Sequence, residues 1–271
     1  MATAMADPPE EVGQQRVPHC DRPDVPGRQD HLFGHMKFRL GKDQDSLNAE
    51  LGQPDRLAMH LDTWREHRRG PLTTTSSQVL AFFASDGRRK SPDIQLAMRP
   101  LSWTVGERGV PELDPFPGMM ASAINTQPHG RGRVLIASGD PDERAPVDTG
   151  YLVDHRDVEV VISGIRRIRD IMSESAISEL VVAELEPGRE LVNDGQLEDY
   201  LRASAATVHH PTGTCRMGSD PRSVVDPQLR VRGVRNLRVI DASIMPKITS
   251  GNTMAGAYVI GEKGADHVLS A

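Results

Sequence analysis

A chain of 271 residues with 32 basic and 38 acidic side chains has a formal charge of −6, which leaves no basic face for nucleic acid or an anionic membrane. Its length suits one large domain or two smaller ones, and its 4% aromatic content argues against base stacking as a main activity. Cys20 and Cys215 lie far apart with no CxxC pair, so neither a disulfide framework nor a zinc ribbon is expected. The start MATAMADPPEE lacks the basic and apolar regions of a secretory signal. No stretch approaches the roughly 18–20 apolar residues that span a bilayer, and a reducing, cytoplasmic compartment is the default expectation.

Residues 1–24 lack apolar periodicity and read as a loose tail. The apolar run Val79–Phe83 suits a buried strand. Ile94, Leu96 and Met98 alternate with other residues at the period of a half-buried strand. The turn 129–132 leads into a third expected strand, Arg133–Ala137. An amphipathic helix follows, with Val158, Val161, Ile162, Ile165, Ile168 and Met172 on one face and Asp154 as its N-cap. A second helix fits 195–206 with Asp194 as cap, and must stop before His209-His210-Pro211 because proline disfavours helix in the residue before it. Leu237–Ile240 reads as a short strand ending in Asp241, and a final helix runs from about Thr253 to Leu269. Its many glycines and alanines cost helix propensity and suit a helix backbone pressed closely on a neighbour.

Gly130-Arg131-Gly132 has no third glycine in place and precedes a strand, so it is a turn and not a dinucleotide fingerprint. No P-loop, HExxH or GxSxG is present. The concentrated signal is His209-His210-Pro211-Thr212-Gly213-Thr214-Cys215-Arg216-Met217-Gly218. A histidine pair in a loop is, taken alone, more often structural or solvated than catalytic. A metal set of His209, His210 and Cys215 is disfavoured because alternate side chains of an extended chain face opposite ways.

Val225-Asp226-Pro227, Asn236–Ser243, Met245-Pro246 and Ser250-Gly251-Asn252-Thr253 follow that segment in order. Together they resemble the C-terminal signature of the glucose–methanol–choline (GMC) oxidoreductases, most closely the choline-dehydrogenase-like branch. Gln29–Phe33, Pro92–Leu96, Gly130–Val134, Ala137-Ser138 and Asp140-Pro141 extend the likeness to about residues 25–271. The resemblance implies an α+β fold. An antiparallel sheet with covering helices would form a substrate domain over 25–207, and 208–271 would be the returning segment of an FAD-binding α/β domain whose N-terminal part is missing. It implies oxidation of an alcohol by FAD, with His210 as acid–base group and Asn252 holding the substrate oxygen. Asp241, Ala242, Asn252 and Thr253 would contact the cofactor. Read without the resemblance, Asp241 is a strand-end turn and Asn252 a helix cap.

The family's glycine-rich FAD loop and its ribose-binding acid are absent, the stretch Val25–His31 is shortened, and Met254 and Gly256 stand where asparagine and proline are common. FAD binding by this chain alone is therefore not expected. A small-molecule alcohol and a separate FAD-binding polypeptide are the expected partners. The rival expectations are a remnant without turnover and an interaction module.

Overall fold

A computed structural model describes residues 27–270, so the expected tail over 1–24 lies outside the described residues. The elements run β1 (Leu32–Leu40), α1 (Leu47–Leu51), α2 (Pro54–His67), β2 (Val79–Phe83), β3 (Ile94–Arg99), β4 (Trp103–Val105), β5 (Pro111–Leu113), β6 (Gly118–Asn125), β7 (Arg133–Val134), β8 (Val147–Asp148), α3 (His155–Ser173), α4 (Ser175–Ser178), β9 (Val181–Glu186), α5 (Asp194–Ser204), β10 (Ala206–Thr207) and α6 (Met254–Leu269). The fold is α+β. A six-stranded antiparallel sheet is ordered β10-β1-β6-β3-β2, with β9 also on β1, and two small hairpins, β4–β5 and β7–β8, stand beside it.

The core lies between this sheet and α3. Met36, Phe38, Leu96, Ala121 and Ala123 on one sheet face meet Val158, Val161, Ile162, Ile165, Ile168 and Met172 of α3, with Leu197 and Leu201 of α5. All six expected α3 positions are buried, as the 3.6-residue period requires, and Asp154 caps the helix by accepting from the Arg156 amide. The helix lies close because Gly164 has no side chain: a Cβ there would stand 2.5 Å from Ala123 Cβ.

Several expectations are corrected. Val79–Phe83 is a strand but not a buried one, because β2 is the sheet edge and Val79, Leu80 and Phe82 are exposed. β3 is buried on both faces at its first four residues rather than on one, since α3 covers one side and the candidate site the other. The strand expected over 133–137 stops after Val134; its partner β8 has two residues, and Ile136 is exposed. The cap of α5 is Asn193, one residue before Asp194, in a reciprocal capping box with Gln196. Leu237–Ile240 forms no strand. It faces Leu229–Val231 in a tight loop, where left-handed residues at Leu229, Gly233 and Asn236 interrupt the extended backbone a ladder needs. Among the described residues no helix is long and apolar enough to cross a membrane.

Candidate active site

The lead into β1 pins together the segments that carry the sequence-derived site residues. Gln29 is buried, and each of its polar groups is used. Its backbone exchanges two hydrogen bonds with Thr212, its Nε2 donates to the Pro128 carbonyl, and its Oε1 accepts from the Ile248 amide. One residue thus fixes the loop after β10, the exit of β6 and the loop before α6.

Asp30, next in sequence, holds the backbone of His210. Its Oδ1 accepts the His210 amide at 2.9 Å. Its Oδ2 accepts from Arg28 at 2.6 Å, the Tyr151 hydroxyl at 2.6 Å and the Thr207 hydroxyl at 2.8 Å. Burial pushes this carboxyl up, but hydrogen bonds from Tyr151, Thr207 and the His210 amide, with the Arg28 charge, outweigh it and leave the group below its ordinary value. Burial and the bond to Asp30 push the Tyr151 hydroxyl up.

His31 holds the ring of His210. The two Nδ1 atoms are 3.0 Å apart, edge to face. His31 Nε2 lies 3.0 Å from the Thr249 carbonyl and 3.2 Å from that of Thr126. Its ring is 1% exposed, and burial together with the neighbouring His210 charge lowers its pKa to about 4. His210 is partly buried and also lowered by burial, with Asp30 opposing. Its Nε2 has no hydrogen-bond partner among the described residues. His209 sits at φ 62°, exposed, its amide bonded to Thr207. That left-handed turn, uncommon away from glycine, separates the two neighbouring rings.

Asn252 follows Thr249 by three residues and is exposed. Its Oδ1 accepts from Gln95 Nε2 at 3.3 Å, from the start of β3. Asn252 is not the helix cap; that position is Thr253, which makes no side-chain cap bond. Asp241 caps a short 3-10 turn, Ala242–Ile244, through the Ser243 amide. That turn is tied to the 215–217 stretch by backbone bonds from Cys215 to Ser243 and from Met217 to Ile244. No hydrogen bond joins Asp241 or Ala242 to His210 or Asn252. Gly130 and Gly132 press against the backbone of residues 148–150, which leaves no room for a side chain at either position. Among the described residues no group of three or more His, Cys, Asp or Glu is arranged to hold a metal ion.

Residues 128–261 match the C-terminal family model described as GMC oxidoreductase. The chain belongs to the GMC oxidoreductases. It is 37% identical over 255 residues to the oxygen-dependent choline dehydrogenase of Pseudomonas syringae pv. tomato, covering 90% of this chain and 43% of that protein. It is 35% identical over 202 residues to an alcohol dehydrogenase (acceptor) of Pseudomonas putida, covering 74% of this chain and 36% of that one. Pyridoxine 4-oxidase from Mesorbium loti superposes with a TM-score of 0.71 at 28% identity, over 92% of this chain and 44% of that one. The formate oxidase of Aspergillus oryzae shares the fold, with a TM-score of 0.81 at 22% identity over 90% of this chain and 47% of that one. The GMC chain thus spans less than half the length of these relatives.

In this GMC chain the polar residues that assemble the cluster, Gln29, Asp30, His31 and Gln95, carry no role in the sequence reading. The signal for the first three was a run of three polar residues entering an apolar strand, where all three are buried.

Proposed function

We propose that this chain is the substrate-side part of an FAD-dependent oxidoreductase that acts on the CH–OH group of an alcohol. In this reading His210 exchanges the hydroxyl proton and Asn252 holds the substrate oxygen. The observation that carries it is the state of His210: backbone pinned by Asp30, ring held at Nδ1, and Nε2 without a partner. A lowered pKa keeps that ring neutral near pH 7 and able to accept a proton. Asn252 offers a non-titrating amide, its Oδ1 steadied by Gln95 and its Nδ2 left to donate.

The surface beyond Asn252 fits a flavin. The amides of Met254, Ala255 and Gly256 have no partner among the described residues, because Thr253 provides no side-chain cap. Such a helix start favours negative charge nearby. Met254 and Tyr258 add exposed apolar surface beside it. FAD, when bound, supplies the hydride acceptor; Asn252, Thr253, Asp241 and Ala242 would hold it. A separate FAD-binding polypeptide would supply the phosphate-cradling loop, which the glycine pair 130–132 does not. On this reading 25–207 form the substrate domain and 208–271 the segment that completes the flavin domain, in a reducing, cytoplasmic compartment suited to the two-cysteine composition.

The test joins the chain to the FAD-binding half of a GMC relative. His210→Ala should cut alcohol oxidation by roughly 10²–10⁴-fold, the usual share of a positioned acid–base group. His209→Ala should cost far less, since that ring is exposed. Asn252→Ala should fall between them, removing an orienting bond and leaving the base. A larger loss through His209 than through His210 would refute the assignment.

A further inference from the structure

We infer that His31 is a positioning residue that fixes the tautomer of His210, holding the His210 proton on Nδ1 and leaving the Nε2 lone pair free. The argument is a hydrogen count. His31 Nε2 faces two main-chain carbonyl oxygens, Thr249 at 3.0 Å and Thr126 at 3.2 Å. A carbonyl only accepts, so this nitrogen carries a hydrogen. His31 is buried and stays neutral to about pH 4, and a neutral imidazole with hydrogen on Nε2 has its lone pair on Nδ1. The 3.0 Å contact between the two Nδ1 atoms needs one hydrogen, and His31 has none to give. It therefore sits on Nδ1 of His210. Neutral His210 then has its lone pair on Nε2, the atom with no described partner.

The arrangement holds in both protonation states of His210. When Nε2 gains a proton, Nδ1 still donates to His31, so the ring keeps its anchor and His31 never changes charge. A carboxylate in the same place would orient the ring too, but its charge would raise the pKa of the base. The acid in the cluster, Asp30, is instead spent on the His210 backbone amide. His31 also couples the two site loops, since the carbonyl it holds at Thr249 lies three residues before Asn252. The catalytic meaning rests on the reading of His210 as the acid–base group; the tautomer does not.

The test is imidazole ¹⁵N NMR of the labelled chain near pH 7.5, which separates a protonated ring nitrogen from one bearing a lone pair. His31 should show Nε2–H and His210 should show Nδ1–H. A His210 protonated on Nε2, or a His31 protonated on Nδ1, overturns the inference without any variant. His31→Asn, whose Oδ1 replaces the Nδ1 acceptor, should keep the His210 tautomer. His31→Gln, whose amide nitrogen replaces Nε2 but offers no acceptor at Nδ1, should let it shift toward Nε2–H. A His210 that keeps Nδ1–H in His31→Gln would remove His31 from the role. If the tautomers are as stated and His210→Ala still oxidises alcohol at the full rate in the assembled enzyme, the catalytic reading fails and the positioning stands.

Discussion

His31 gives the chain a defined acid response. Its pKa falls from an unfolded value of ~6.5 to about 4 in the fold, so between those values the unfolded chain binds more protons. Stability therefore rises with pH through this window, is fully present above it, and is lost as pH falls toward 4. At about 1.4 kcal/mol per pH unit, the contribution is on the order of 3 kcal/mol. His210 acts in the same direction. Asp30 does not share the window: its net lowering keeps its contribution until pH falls below the ordinary carboxylate range. Urea midpoints measured from pH 7 to 4.5 should drop steeply in the native chain and more gently in His31→Gln. Parallel pH profiles for the two would show that His31 is not held neutral. His210 and Asn252 could be proposed from the sequence because each sits in a motif whose spacing fixes its register. Gln29, Asp30, His31 and Gln95 were not, because their role is a set of contacts with residues far away in sequence. His31 and Thr249 are 218 positions apart, Asp30 and His210 180, and no local pattern reports such pairings.

At the scale of elements, α3 was the most legible part of the fold, since six apolar positions at helical spacing have one geometric solution. Strand burial was the least legible. The contiguous apolar run Val79–Phe83 gave an exposed edge, the alternating Ile94–Met98 an interior strand buried on both faces at its first four residues, and it is the order β6-β3-β2 that decides this. α1 and α2 passed unread; α2 buries no residue completely, so its sequence shows only a proline at the start and a weak apolar stripe. The contact of α3 on the sheet can be tested at Gly164. A methyl there would meet Ala123 Cβ at 2.5 Å, with the strand backbone directly behind it. Overpacking of this kind costs about 1–3 kcal/mol, so Gly164→Ala should lower the thermal midpoint. Ala123→Gly in the same chain should recover part of the loss, less the roughly 0.5–1 kcal/mol that glycine costs in a strand. An unchanged midpoint in Gly164→Ala would mean that helix and sheet stand further apart than described.

For the whole molecule, α6 governs how the chain behaves on its own. The helix touches the rest of the fold through Ile260, which packs against the cluster of Val225, Leu229 and Ile244, and through two small residues: Gly264 lies against Ile240 and Gly256 against Met245. Five of its larger side chains turn outward, with Met254, Tyr258, Val259, Val268 and Leu269 all more than half exposed. Exposed apolar side chains gathered on one helix mark an interaction surface and, left bare, an association hazard. The chain alone should therefore bind a dye such as ANS and self-associate with rising concentration. Tyr258→Glu with Val259→Lys should weaken both effects without lowering the thermal midpoint, because neither side chain supports the core around α3. The same chain should purify without bound FAD, since its one Gly-x-Gly turn precedes a strand instead of opening a helix and so offers no cradle for the pyrophosphate. Joined to an FAD-binding half, it should gain the flavin absorbance and lose the dye binding together, because one surface accounts for both. Dye binding that persists in a flavin-loaded complex would show that α6 faces solvent in the assembled protein, and the FAD-binding half would then have to dock elsewhere on this chain.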